Sequence, residues 1–255
     1  MIKTHKNTIY QDPIRYDDEN WWKKNDLEMW KHLCHKGCGN NVLELASGTG
    51  RISIPLLREG FQVTGIELSE AFAARAGEKV EELGFKADFH TANIMNYSLE
   101  RSFDTIIIGY NSFLHLLENH QAESCLASTF KHMHADSRLY IDIYMPSPLH
   151  YYRPENIRFD VLEYFDSQLQ KEVFIQETND YDPESEINHL TWYYSTEDEK
   201  DFMVNTFTTR MYWPDTMNRM LIEAGFEILN IWGDYNYSPF SEKSSLQIFE
   251  LKKRA

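Results

Sequence analysis

Val42-Leu43-Glu44-Leu45-Ala46-Ser47-Gly48-Thr49-Gly50-Arg51 is the stretch that decides the fold. Four residues with strand character run into a turn containing two glycines, and an amphipathic stretch from Arg51 to Glu59 follows. Gly60 stands where a helix is expected to end. Pro55 is compatible with that helix because it falls within about the first turn. This is a strand–turn–helix unit whose glycines let a ligand reach the backbone at a helix N-terminus.

Reading outward, Phe61 to Glu67 is a second strand. Ser69 is placed to cap a helix reaching about Leu83, closed by Gly84. Phe85–His90 reads as a third strand and Phe103–Gly109 as a buried fourth. A helix from about His120 to Met133 then leads to a fifth strand, Leu139–Tyr144. Such alternation predicts a parallel sheet built from βα units.

Beyond it the pattern changes. Residues 158–166, 171–180, 187–195 and 202–213 read as four antiparallel strands rich in aromatic and β-branched residues. A helix from Pro214 to Ala224 and two strands, 226–232 and 246–251, complete the main sheet as a hairpin. The expected fold is therefore α/β, a Rossmann-like domain made of residues 1–157 and 214–255. Residues 158–213 form an antiparallel β lid insertion, too short to be a comfortable independent core.

Composition narrows the function classes. The chain has 255 residues, with 25 Lys and Arg against 40 Asp and Glu, a formal charge of −15. That balance disfavours a nucleic-acid partner, which needs a cationic footprint. No apolar run approaches the length of a membrane span, and residues 1–10 lack the apolar core of a secretory signal. Three cysteines argue against a disulfide framework. The expectation is a cytoplasmic protein, monomer or homodimer.

The turn admits two ligands. A dinucleotide fingerprint wants a third glycine where this chain has Ser53. Glu44 just before the turn suits a cationic amino-acid group better than a pyrophosphate. Glu67, ending the second strand, is placed to accept the hydroxyls of a ribose.

The run Glu44-x-Ala46-x-Gly48-x-Gly50 resembles motif I of class I S-adenosylmethionine-dependent methyltransferases. The resemblance implies a seven-stranded sheet and S-adenosylmethionine as cofactor, held by Glu44, Ala46, Ser47, Gly48, Gly50 and Arg51. It further implies Glu67 and Leu68 at the ribose and base. In that family an acid after the third strand touches adenine; Asn93 stands there in this chain, followed by Ile94 and Met95 as walls of the ring. The aromatic segment Tyr10, Tyr16, Trp21, Trp22 looks like the one that closes over the cofactor, with Tyr16 and Trp22 the chosen contacts.

Gly109-Tyr110-Asn111-Ser112-Phe113-Leu114-His115-Leu116 lies at the end of the fourth strand, where open α/β sheets place ligands. The segment resembles the Asn-Ser-Phe-x-His-Leu run of glycine/sarcosine N-methyltransferases and the Ser-x-x-His-Leu run of amino-sugar N,N-dimethyltransferases. It implies Tyr110 at the cofactor, Asn111 near the methyl acceptor and His115 as a base or positioning group. Imidazole titrates near neutrality and suits that role. In the glycine enzymes an Arg that clamps the acceptor carboxylate follows the fifth strand. Tyr144 occupies that place here, which argues against glycine and for a larger, partly apolar acceptor.

The loop Gly233-Asp234-Tyr235 resembles one that reaches toward the acceptor pocket in that family, and the aromatics Trp192, Tyr193, Tyr194, Phe207, Tyr212 and Trp213 are candidates to line the lid. Cys34-His35-Lys36-Gly37-Cys38 lacks zinc-site spacing, so no metal is expected. His132 and His134 are expected just past a helix end, where imidazolium suits the dipole. The reading is a methyltransferase acting on a small-molecule amine. O-methylation, a non-methylating reaction of the same cofactor, a nucleotide-binding module and a nicotinamide oxidoreductase are its rivals.

Overall fold

The computed structural model describes residues 4–6, 10, 12–148, 153–154 and 157–254. The chain divides into two compact units, one of residues 1–24 with 146–211 and one of residues 25–145 with 212–255. The expected division and this one differ mainly in the first 24 residues, which group with the antiparallel sheet.

The larger unit begins with helix α2 (Leu27–Lys36), after α1 (Pro13–Glu19) of the other unit. It continues through β2 (Asn41–Leu45), α3 (Ser53–Arg58), β3 (Gln62–Glu67), α4 (Glu70–Glu82), β4 (Asp88–Thr91) and β5 (Phe103–Ile108). A 3₁₀ turn (Ser112–His115), α5 (Asn119–Lys131) and β6 (Met133–Tyr144) follow. After the insertion come α6 (Pro214–Glu223), β11 (Phe226–Trp232) and β12 (Leu246–Lys253).

The seven strands lie in the order β11-β12-β6-β5-β2-β3-β4. All neighbours from β6 to β4 are parallel, and β12 is antiparallel to both β6 and β11. The expected class is observed, terminal hairpin included. Strands β2 and β5 carry apolar side chains at consecutive positions because both faces of a parallel sheet are covered. On one face Leu43, Ile106, Phe113, Leu126 and Phe249 cluster with Met217 and Leu221 of α6. On the other Val42, Ile107 and Tyr140 pack with Trp30 and Leu33 of α2 and Leu56 and Leu57 of α3.

The smaller unit holds a five-stranded sheet in the order β1-β10-β9-β8-β7. Its members are β1 (Thr4–Lys6), β7 (Phe159–Asp166), β8 (Lys171–Asp182), β9 (Ile187–Ser195) and β10 (Met203–Arg210). The four expected antiparallel strands are present, and β1 adds a parallel edge beside β10 that composition did not reveal. Tyr164, Val173, Ile175 and Tyr194 form its buried cluster.

Local differences have physical causes. Ser69 holds the N-cap position of α4 without a side-chain cap bond; its backbone N–H instead donates to Glu67 Oε1 at 2.9 Å. The third strand starts at Asp88, because Phe85 N–H still closes the preceding helix onto Val80 C=O at 3.0 Å. His132 stands at the end of α5 as its C-cap, whereas His134 lies in β6, which starts at Met133. His132 is buried and accepts Leu99 N–H at Nε2 (2.8 Å), so its Nδ1 hydrogen goes to Ser128 C=O (2.7 Å). Tyr212 belongs to the main core, its hydroxyl donating to Leu116 C=O and its ring packed on Phe113. Tyr194 is likewise buried in its own sheet.

Candidate active site

The register of the sheet assembles the site. Ile66, Leu45, Ile108 and Ile141 face one another across four adjacent strands in a single row. Glu67, Ala46, Gly109 and Asp142 therefore open the next row together, at the carboxyl edge. The chain runs β2 to β3 to β4 toward one side and then crosses to β5 on the other. The turn 46–50 and the segment 109–115 consequently flank the topological switch point, where such sheets bind ligands.

The turn after β2 is held in left-handed conformations, with φ of 56° at Ala46, 56° at Gly48 and 83° at Gly50. Ser47 N–H donates to Ile66 C=O at 3.0 Å and Ser47 C=O accepts Gly50 N–H at 3.0 Å. Its hydroxyl is turned toward Gly65, where a Cβ would approach within 2.5 Å. Ser47 thus stitches the turn to β3. Glu44 is buried, and its Oε2 is taken by the Ser53 hydroxyl on the first turn of α3. Burial pushes the Glu44 carboxyl up to about 7, against the lowering pull of Ser53 and Arg51. The residue in the third fingerprint position therefore anchors the acid of the first strand.

Glu67 spreads its carboxylate between two loops. Oε2 accepts Gly48 N–H at 2.9 Å and Oε1 accepts Ser69 N–H at 2.9 Å. Burial raises its pKa, opposed by these backbone donors. Each oxygen keeps a second lone pair for a hydroxyl. Leu68 beside it is 68% exposed, an apolar surface suited to a flat ring. After β4, Asn93 Oδ1 accepts Met95 N–H at 2.9 Å, so the amide nitrogen is the group left to face a base. Ile94 and Met95 pack largely against the core.

At the end of β5, Tyr110 and Asn111 have φ of 56° and 62°. Two consecutive non-glycine residues in this region store backbone strain, a feature concentrated at functional sites. The strain is maintained locally: Ser112 Oγ donates to Gly109 C=O at 2.8 Å and Leu114 N–H to Asn111 C=O at 2.9 Å. Asn111 Oδ1 is buried and accepts no hydrogen bond from any of the described residues. His115 ends the 3₁₀ turn and is exposed.

Arg51 does something its sequence position did not suggest. It forms a bidentate pair with Asp26, both N···O distances 2.8 Å, and its guanidinium lies 4.7 Å from the centroid of the Tyr110 ring. Asp26 is fully buried and also accepts Trp30 Nε1–H at 3.0 Å. Asp26 sits in a stretch that reads as a charged surface, Lys23-Lys24-Asn25-Asp26, and nothing local announces its partner. Asp142 is a second missed acid: it lies buried at the end of β6 and accepts the hydroxyl of Tyr235 from the loop 233–240. Tyr16 and Trp22 lie in the other unit, Tyr16 with its ring 6.3 Å from that of Tyr10 and Trp22 45% exposed. A surface cavity of about 500 Å³ lies between α4 and β4, with Glu70, Ala73, His90 and Thr91 in its lining.

Residues 42–136, which contain the turn, Glu67, Asn93 and the 109–115 segment, match the methyltransferase domain family. A protein of Geobacillus sp. (strain WCH70), named only by the methyltransferase class, is 28% identical over 217 residues, 83% of this chain and 84% of its own. The protein is an S-adenosylmethionine-dependent methyltransferase. This methyltransferase is also 24% identical to the glycine/sarcosine N-methyltransferase of Aphanothece halophytica, across 92% of this chain and 84% of that one. In fold it is similar to S-adenosylmethionine-bound CalS10, an amino pentose methyltransferase from Micromonospora echinaspora. That likeness has a TM-score of 0.68 over 91% of this chain and 93% of that one, at 13% identity.

The carboxyl-edge residues fit the cofactor. The glycines allow close backbone approach, Glu67 offers lone pairs to two hydroxyls beside an exposed leucine, and Asn111 presents a buried acceptor lacking a donor among the described residues. Among the described residues no helix is long and apolar enough to cross a membrane.

Proposed function

We propose that this methyltransferase transfers a methyl group to an amine nitrogen of a small-molecule acceptor. The observation that carries the reading is Asn111 Oδ1, a buried oxygen with no donor among the described residues, on a strained loop at the switch point. A buried acceptor without a partner is costly, on the order of 1–3 kcal/mol, unless a ligand supplies the hydrogen. An amine N–H does so while leaving its lone pair free to face the methyl group. Similarity to an N-methyltransferase of glycine and sarcosine supports nitrogen as the target.

When bound, S-adenosylmethionine supplies an electrophilic methyl on its sulfonium. In this reading Glu67 holds its ribose hydroxyls, Leu68, Asn93, Ile94 and Met95 border its base, and Gly48 and Gly50 give it room at the backbone. Ala46, Ser47, Glu44 and Arg51 shape that wall: Glu44 through Ser53, Arg51 through Asp26 and the face of Tyr110. Asn111 orients the acceptor N–H, and most of the acceleration comes from this alignment. His115 takes the proton that the amine must shed, a contribution of about 10²–10⁴ in rate for a positioned base. A formal charge of −15 disfavours nucleic acid.

The test is a labelled-methyl assay over amines, amino sugars and phenols, with the product's methyl position determined. Methyl on nitrogen, with Asn111→Leu losing turnover while cofactor affinity is kept, supports the reading. Methyl on oxygen, or Asn111→Leu at full turnover, removes it.

A further inference from the structure

At the opposite, amino-terminal edge of the seven-stranded sheet, three side chains from three separate segments converge. Cys38 comes from the loop before β2, Asp104 from the start of β5 and His134 from the start of β6. Their ligand atoms all lie within 4.8 Å of one another, with His134 Nε2 to Asp104 Oδ1 at 3.1 Å and Cys38 Sγ to Asp104 Oδ1 at 3.9 Å. Donor atoms about 2.0–2.3 Å from a tetrahedral ion stand roughly 3.3–3.8 Å apart, so little movement brings them onto one centre.

Two further features show this corner to be built. The β5–β6 register jumps between Phe103↔Met133 and Thr105↔Arg138, so residues 134–137 bulge out of the sheet. Bulges serve to re-aim side chains, and this one is pinned by Ser137 Oγ, which donates to Phe103 C=O (2.6 Å) and accepts His134 N–H (2.9 Å). The second feature is Gly39. Any Cβ there would fall 2.4 Å from Asp104 Oδ2, so the loop wraps the carboxylate only because residue 39 is glycine. Asp104 Oδ2 is then fixed by Asn41 N–H at 2.8 Å, which leaves Oδ1 facing Cys38 and His134.

We propose that Cys38, Asp104 and His134 form a three-ligand zinc site at the amino-terminal edge of the sheet, opposite the edge assigned to methyl transfer. A thiolate, an imidazole and a carboxylate are the donor set of zinc among common cellular cations. Water occupies the fourth position, since the cluster is open to solvent at Cys38. Binding displaces the thiol hydrogen, which in the metal-free chain points to Asp136 C=O at 3.3 Å. It also moves the imidazole hydrogen to Nδ1 and breaks the 3.3 Å bond from Asp136 N–H, an exposed contact. Cys34 takes no part: it is buried in the core against α2's neighbours, so the Cys34–Cys38 spacing is not the motif. The site ties the loop before β2 to β5 and β6.

The experiment is a Co(II) titration of the reduced, chelator-treated full chain, followed by back-titration with Zn(II). The expected result is one equivalent of Co(II) with a thiolate charge-transfer band and tetrahedral d–d bands, both removed by stoichiometric Zn(II). Cys38→Ser abolishes the charge-transfer band, His134→Gln weakens binding at least about tenfold, and Gly39→Ala weakens it about 10–100-fold by displacing Asp104. Zinc raises the melting temperature of the native chain but not of Cys38→Ser, which remains folded by circular dichroism. Absence of the band in the native chain, or an unchanged band in Cys38→Ser, overturns the proposal.

Discussion

Glu67 shows how one side chain serves two purposes. Its carboxylate joins the turn after β2 to the N-terminus of α4 through Gly48 and Ser69, and in doing so it is oriented for a ligand. Replacing Glu67 by Ala should weaken S-adenosylmethionine binding by about 1.5–3 kcal/mol, as two charge-assisted bonds are exchanged for water. Calorimetry checks this, and an unchanged affinity would place the ribose elsewhere. Glu19, in the smaller unit, behaves differently. It is 1% exposed, receives the Tyr164 hydroxyl at 3.5 Å, and burial pushes its carboxyl from 4.5 up to about 8, against the pull of Tyr194 and Arg15. A carboxyl with a raised folded pKa holds its proton longer in the native state. Native stability therefore falls as pH rises from the unfolded value near 4.5 and levels off above about 8. Glu19→Gln should remove the Glu19 share of that decline, leaving the variant more stable than the native chain at pH 9 by on the order of 5 kcal/mol. Denaturant titrations from pH 5 to 9 read it directly; parallel curves for the two proteins would sink the argument.

At the level of elements, the turn 46–50 is where sequence and geometry agree most closely. Gly50 has φ of 83°, and a Cβ there would touch Ala76 Cβ at 3.4 Å, an ordinary contact. The cost of Gly50→Ala is therefore conformational, about 1–2 kcal/mol, seen as a melting point lower by about 2–8 °C. A melting point equal to that of the native chain would mean the turn does not need its left-handed form. The βα units were legible because each announces itself within a few residues: an apolar run, a glycine, an amphipathic stretch. The four long antiparallel strands were legible for the same reason. What escaped was non-local. Strand β1 is three residues long and is defined only by its pairing to β10. The start of β6 was missed because His134, Asp136, Ser137 and Arg138 are polar and form no apolar run ahead of Leu139. At the site, the glycines, Glu67 and the strained Asn111 were visible as types at positions. The Arg51–Asp26 pair and the Tyr235–Asp142 contact join residues distant in sequence, and no local pattern encodes a partner.

For the whole molecule, the question is how a chain that interrupts its main sheet can still fold it. The larger unit is left at Pro146 and regained at Tyr212. Gln247, fully buried on β12, answers in part: its Nε2 donates to Tyr212 C=O at 2.8 Å and contacts Tyr144 C=O at 3.5 Å. The outgoing and returning strands of chain are thus held by one side chain, and the sheet from β11 to β4 closes without any residue of the insertion. Its two buried clusters draw only on residues of the larger unit. A chain of residues 25–145 joined to 212–255 through a short Gly/Ser link should therefore fold, giving a cooperative thermal transition and an α/β circular dichroism spectrum. It should still bind S-adenosylmethionine, because the turn, Glu67, Asn93 and Asn111 are all retained. Tyr16 and Trp22 leave with the excised residues, so the ratio of the two cofactor affinities measures what the N-terminal aromatics contribute. Equal affinities would remove them from the cofactor site. A non-cooperative, dye-binding product would instead show that the main sheet depends on the unit it carries, despite the closure made by Gln247.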